Sequence, residues 1–224
     1  MLMAGPVTLP GCGKEELHSY LASTLRVLQR YNMAYEYSIN SFPTYHDLIA
    51  TTDVNVTEFH IGGQLISRST LQSDPDRFIS AIQGILRDNT AFSGYSMNVS
   101  RANNRVFSDN AANPAWQKAA VSAVIGIPCS YTDRQVNPDG QKLMTDVLIP
   151  QLEVLTSPGK LAGAYLNEGD WNQPDWQSVI YGGNYARLRE IKDKYGPRQI
   201  FYGRTAVGSD RWVEREDGRL CRVV

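Results

Sequence analysis

At 224 residues, 42% of them apolar and 20% charged, the chain is long enough for one sizeable core and has an ordinary globular composition. A formal charge of −1 with no basic cluster leaves no electrostatic case for nucleic acid, and no apolar run reaches the roughly 18 residues of a membrane span. The three scattered cysteines, Cys12, Cys129 and Cys221, argue against a disulfide framework and offer no metal-ligand spacing, so no metal site is expected.

In chain order, residues 1–9 read as a short strand, too short an apolar run for a signal peptide. Lys14–Arg30 is the clearest helix, with Leu17, Leu21, Leu25 and Leu28 at three- and four-residue spacing. His18 beside that stripe reads as a surface residue. Residues 33–39 alternate as a strand does, placing Met33, Tyr35, Tyr37 and Ile39 on one face. That face serves either as core or as a pocket wall, because tyrosine combines an apolar body with a hydroxyl. Tyr45 and His46 follow Pro43 at a helix start and read as structural. The glycosylation sequons at Asn55 and Asn98 are short enough to arise by chance.

Residues 58–66 read as a strand in which Gly62-Gly63 marks a bulge or a close contact. Asp74 and Pro75 open a helix with the stripe Phe78, Ile82 and Ile85. Residues 92–99 alternate again, and polar Asn98 near the end of that strand is a candidate substrate contact. Residues 101–112 lack periodicity and read as a loop. The turn Asn113-Pro114-Ala115-Trp116 introduces a β-branched strand over 117–127. A turn is expected at 137–140, followed by a helix over 141–155 bearing Leu143, Val147 and Leu148.

The most informative stretch is 165–202. A strand over 161–166, with small residues Ala162, Gly163 and Ala164 that permit close backbone approach, leads into a polar corner at Asn167-Glu168-Gly169-Asp170. A tryptophan-rich loop follows, with Asp175 as the N-cap of the next segment. A helix then runs over 184–194, with Leu188, Ile191 and Tyr195 as its apolar stripe and Gly196-Pro197 as its stop. Irregular alternation of strands and helices predicts an α+β fold: an antiparallel sheet backed by helices over 1–160, then a strand-loop-helix segment over 161–224.

This stretch resembles the C-terminal signature of the berberine-bridge-enzyme-like flavin oxidases, within the vanillyl-alcohol-oxidase group. The resemblance is carried by Tyr165 and Asn167, the acidic corner Glu168/Asp170, Tyr181-Gly182-Gly183-Asn184-Tyr185-Ala186-Arg187-Leu188, Lys192, Lys194, Tyr195, Pro197 and Phe201-Tyr202. The tail 205–221, with Trp212, is similar to fungal members, and Ile61, Gly62, Leu65, Ile66, Arg68 and Ser69 match a further family segment. The resemblance implies a substrate domain plus its flavin-contacting tail, with FAD as the cofactor.

In complete members a flavin-binding domain precedes this part, and no glycine-rich phosphate loop or flavin-attachment histidine is found in this sequence. Three readings follow: part of an FAD-linked oxidoreductase acting on a secondary metabolite, a flavin-independent isomerase or cyclase, or a non-catalytic remnant. By resemblance, Tyr165, Asn167, Asn184 and Tyr185 contact the cofactor. Glu168 is the candidate acid or base, because burial beside aromatic neighbours raises a carboxyl pKa. The plant-type pattern has tyrosine there, so no role carries over to Glu168. Tyr35 and Tyr37 would hold substrate beside it, with Asn98 a further contact, and Asp170 reads as structural. The expected partners are a small-molecule substrate and either a second copy or a separate flavin domain, docking through Trp171, Trp176 and Tyr181. A cytoplasmic location is expected, although relatives are often secreted.

Overall fold

The computed structural model describes residues 7–51, 59–86, 90–96, 99, 110–156 and 163–223. The candidate substrate contact Asn98 lies outside the described residues, as do most of the expected first strand and of the loop at 101–112. The chain divides into two compact units, 1–55 and 56–224.

In the first unit, helix α1 (Lys14–Arg30) forms where its leucine stripe lies, and Leu17, Leu21, Leu25 and Leu28 are half-buried, with Ala22 beside them. Short helix α2 (Tyr45–Ile49) is capped by Thr44, whose side chain accepts from the Asp47 N–H. Residues 33–39 form no strand, which corrects the strand expected there: the alternation is present in the sequence, and a ladder partner is not found among the described residues. Gln29 donates to the Tyr35 hydroxyl at 3.3 Å, and the Tyr37 hydroxyl lies 2.8 Å from His18 Nδ1.

The second unit is built on a three-stranded antiparallel sheet of β1 (Phe59–Ser67), β2 (Ala91–Ser96) and β3 (Ala119–Pro128), ordered β1-β3-β2. The β1 ladder runs in register through Gly62 and Gly63 and shifts only between Ile66 and Ser67, so the glycine pair is a close contact and not a bulge. Helices α3 (Arg68–Ser73), α4 (Pro75–Ile85), α5 (Val136–Leu143) and α6 (Ile149–Glu153) accompany the sheet. Ile66, Ala123 and Ile125 from the strands form the main core with Ile85, Met144, Leu148, Ile149, Leu152 and Leu155. This is the α+β arrangement expected from the sequence.

Two helical expectations are corrected. The turn expected at 137–140 is the first turn of α5, where Pro138 has no intrahelical N–H to lose. The Asn137 side chain bonds the backbone of Ser130 instead of making a turn. Further on, Met144–Leu148 is a π-helical turn between α5 and α6. Pro150 cannot donate to the carbonyl four residues back, and widening the preceding turn accommodates its ring. The widened turn rotates the apolar stripe, so Met144 and Leu148 are buried while Val147 faces outward.

In the last third, α7 (Trp176–Tyr181) and α8 (Tyr185–Tyr195) precede a hairpin of β4 (Trp212–Glu214) and β5 (Leu220–Arg222). Asp175 stands at the N-cap of α7 as expected, but with φ +50° and without a side-chain cap bond. The stripe expected on α8 is corrected in part: Leu188 is half-buried, but Ile191 is exposed and Tyr195 is 76% exposed. The covered side of α8 is its polar one. There Arg189 pairs with Asp210 at 3.0 Å, Asp193 accepts both terminal nitrogens of Arg211, and Lys192 donates to the Phe201 carbonyl. The tail is held to its helix by charge where amphipathicity predicts an apolar seam.

Candidate functional site

Paired residues of a sheet share a face. The face away from the main core carries Ile61, Gly63 and Leu65 of β1, Ser122 and Val124 of β3, and Ser93 and Tyr95 of β2. Segment 163–170 crosses this face. It is not the strand expected over 161–166: its described part makes two backbone bonds, Leu65 N–H to Gly163 O at 2.6 Å and Ala164 N–H to Val179 O at 3.0 Å, and turns at Tyr165. The small residues act as expected, since a Cβ on Gly163 would lie 2.5 Å from Ala115 Cβ. On the sheet side, a Cβ on Gly63 would lie 2.4 Å from Ala123 O and 3.0 Å from Glu168 O. Glycine at 63 is what lets the corner lie flat on the strands.

The corner is tied down from both sides. Asp170, 2% exposed, accepts from the Thr145 hydroxyl at 2.6 Å and from the Asn172 N–H at 2.9 Å. Buried Gln64 donates to Gln173 at 3.1 Å, and Gln173 donates on to Glu153 at 2.9 Å. Behind the corner, buried Asn113 donates to the Val179 carbonyl at 2.8 Å and accepts from the Ala115 N–H at 3.0 Å. The Asn-Pro-Ala-Trp turn thus joins α7 to β3.

Glu168 comes to rest half-buried over the sheet, with Oε2 3.5 Å from the hydroxyl of Ser122. Ser122 is 3% exposed and pairs with Leu65 on one side and Tyr95 on the other. Desolvation alone pushes the Glu168 carboxyl above the ordinary glutamate range. Asn167 donates to the Tyr165 hydroxyl at 2.8 Å, and the Tyr165 ring stands edge-on to Trp116 at 5.7 Å. Beside the corner opens a cavity of about 410 Å³ lined by Ile61, Leu166, Asn167, Trp171, Arg204 and Thr205, among others. The Arg204 guanidinium lies 4.4 Å from the Trp171 ring centroid and pairs with Glu214. Thr205, a β-branched residue, sits at φ +58° on the cavity wall, its carbonyl held by the Tyr181 hydroxyl at 3.0 Å.

The structure brings together Glu168, Asn167 and Tyr165. Asn184 donates to the Ala112 carbonyl, and the Tyr185 hydroxyl donates to Asp210, so both brace the chain behind the cavity wall. Tyr35 and Tyr37 belong to the first unit. Of the residues expected to form an exposed docking surface, Trp171 is exposed, whereas Trp176 and Tyr181 are partly buried and pack edge-on against each other and near Tyr185. Sequence reasoning missed Ser122, Tyr95 and Arg204. Ser122 carried a signal: it is the one hydroxyl in the apolar run Ala119–Pro128, and a buried polar group requires a partner. Arg204 carried none, because its partners are remote in sequence.

Comparison with known proteins bears on the fold and the family. In fold the chain matches part of two VAO-type flavoproteins, MtVAO615 and MtVAO713 of Myceliophthora thermophila C1, with TM-scores of 0.78 and 0.75, at 23% and 26% identity. They cover 96% and 95% of this chain, which covers 40% and 38% of theirs. Residues 164–208 match the family model described as berberine and berberine like. The FAD-linked oxidoreductase sor8 of Hypocrea jecorina is 39% identical over 224 residues, 99% of this chain and 38% of that protein. The bifunctional decalin synthase calF of Penicillium decumbens is 32% identical over 233 residues, 97% of this chain and 39% of that protein. The chain belongs to the berberine-bridge-like FAD-linked oxidoreductases, a family with fungal members, and spans about two fifths of the length of these relatives.

Proposed function

We propose that this chain supplies the substrate-facing surface and the acid–base group of an FAD-linked oxidoreductase acting on a small secondary metabolite. The observation that carries the reading is Glu168, a half-buried carboxyl with a raised pKa on the open face of the sheet, beside a cavity lined by Ile61, Leu166, Trp171 and the Asn167 amide, with Arg204 and Thr205 on its wall. The cavity residues fit the ring end of a flavin. Leu166, Trp171 and Ile61 offer apolar surface, and Asn167, oriented by Tyr165, offers an amide. They do not fit its phosphates, because Arg204, the cation at the cavity, is engaged by Glu214 and Asn172. When bound, such a ring accepts a hydride from substrate. Glu168 would take the proton released from the substrate hydroxyl or carbon, burial making its carboxylate a stronger base than an ordinary exposed glutamate. Asn113 and Asp170 hold the corner so that the carboxyl does not swing away.

A second reading has a specific observation in its favour. The similarity to a bifunctional decalin synthase extends over 97% of this chain, and a ring closure without redox change would use a shaped surface, with a proton donor where the substrate requires one. Glu168 in its protonated form would then be the acid.

The absorption spectrum of the purified protein, before and after denaturation, separates the two. A flavin band released on denaturation supports the oxidoreductase. A colourless protein that still turns over, and stops doing so as Glu168→Gln, supports the flavin-independent reading. Undiminished turnover in Glu168→Gln overturns Glu168 as the acid–base group in both.

A further inference from the structure

The contact between the corner and the central strand has an asymmetry that assigns a second residue to the site. Ser122 stands in the middle of β3, flanked in register by Leu65 and Tyr95. Its neighbours along the strand, Val121 and Ala123, point into the core on the other side. Its hydroxyl is therefore fixed on the site face, 3% exposed, in a strand whose backbone groups are taken by ladders on both sides. A buried hydroxyl needs a partner, and the one the structure provides is Oε2 of Glu168 at 3.5 Å. Catalytic hydrogen bonds without ligand are often long and tighten on binding. Tyr95, 44% exposed, shares the face on the β2 side, so the open ground beside Glu168 lies there.

We infer that Ser122 is the positioning residue of this site, donating to one carboxyl oxygen of Glu168 so that the other is presented to the substrate above Tyr95. The inference rests on reading Glu168 as the acid–base group, but its test does not. Ser122 neither meets the reacting atoms nor exchanges a proton with them. It selects a rotamer of Glu168 and favours the charged form of a carboxyl that burial otherwise disfavours. The ionisable groups on the surrounding elements are Tyr95 on β2, Tyr165 and Asp170 on the corner, and Arg204 across the cavity. Asp170 is taken by Thr145 and Arg204 by Glu214. Burial raises the Glu168 carboxyl, and the Ser122 hydroxyl, the polar group within reach of Oε2, is the one whose removal should raise it further.

The experiment follows isotope-labelled glutamate carboxyl carbons by NMR across pH, with Glu168 identified as the signal missing from Glu168→Gln. In Ser122→Ala the Glu168 midpoint should rise above that of the wild type, and Ser122→Thr, which restores a hydroxyl, should bring it back down. An unchanged midpoint in Ser122→Ala overturns the inference, whatever happens to activity. If the midpoint moves but Glu168→Gln retains its turnover, the Ser122–Glu168 contact stands as a positioning contact and the acid–base reading falls.

Discussion

The two faces of the three-stranded sheet are made from the same three strands and do different work. One face is close-packed and apolar, with Ile66, Ala123 and Ile125 against Met144, Leu148 and Leu152 of the helical layer. The other carries Gly63 and Ser122 under a turn that is joined to it by few bonds, with Tyr95 exposed beside them. Alternation of side chains makes this possible, since neighbours along a strand serve opposite faces. The apolar face makes the sheet rigid, and the rigid sheet gives the polar face a fixed floor on which a carboxyl can be held half out of water.

The contrast is broken most severely from the packed side. Leu148→Ala, at a fully buried position, should destabilise the protein by about 2–5 kcal/mol, read as a fall in Tm, because the helical layer cannot collapse into the hole. On the site side Gly63→Ala is expected to cost about 1–3 kcal/mol by pushing against Ala123 O and Glu168 O. Its signature is local: lifting the corner should change the fluorescence of Trp116 and Trp171 in the folded state and lower activity beyond the loss in stability. Asn113→Ala removes two buried hydrogen bonds and should cost about 1–3 kcal/mol, seen as a lower denaturation midpoint.

Glu168→Gln should abolish turnover with little change in Tm. Its effect on stability is in the pH dependence. A carboxyl whose folded pKa is raised contributes stability below its unfolded pKa and loses it as pH rises through the folded value. The glutamine variant should therefore lack that decline above the ordinary glutamate pKa. The smallest effect belongs to the half-buried Asp193–Arg211 pair that joins α8 to the tail. The Arg211 hydrogen bond, against some opposing desolvation, holds Asp193 below its usual pKa. The stability it adds is present above the unfolded pKa and lost as pH falls through the folded one. Asp193→Asn should remove that acid-side loss, measured as Tm against pH, and added salt should weaken it in the wild type.

Much of this was legible in one dimension. The leucine spacing of α1, the Asp-Pro start of α4, the alternation of β2 and the small residues at 163–164 are local patterns, and local sterics and periodicity decide them. Glu168 was legible as a candidate because a carboxyl at a turn among aromatics is unusual. The π-helical turn before Pro150 could be suspected from the proline, but which way the stripe rotates depends on the sheet it meets. The polar seam of α8 contradicted its own apolar spacing, since the tail that covers it is itself charged and the two neutralise each other.

By itself, then, the sequence determined helices α1 and α4, the three sheet strands to within a few residues, and the likeness of residues 164–208 to a flavoprotein family. Only the tertiary structure decided which face of the sheet receives the corner, that Gly63 is an opening for it rather than a bulge, and that Ser122 is the group beneath Glu168. The reason is that these contacts join residues 46 or more positions apart. Their geometry is set by sheet register and by how closely two backbones can approach, neither of which is written in a local pattern.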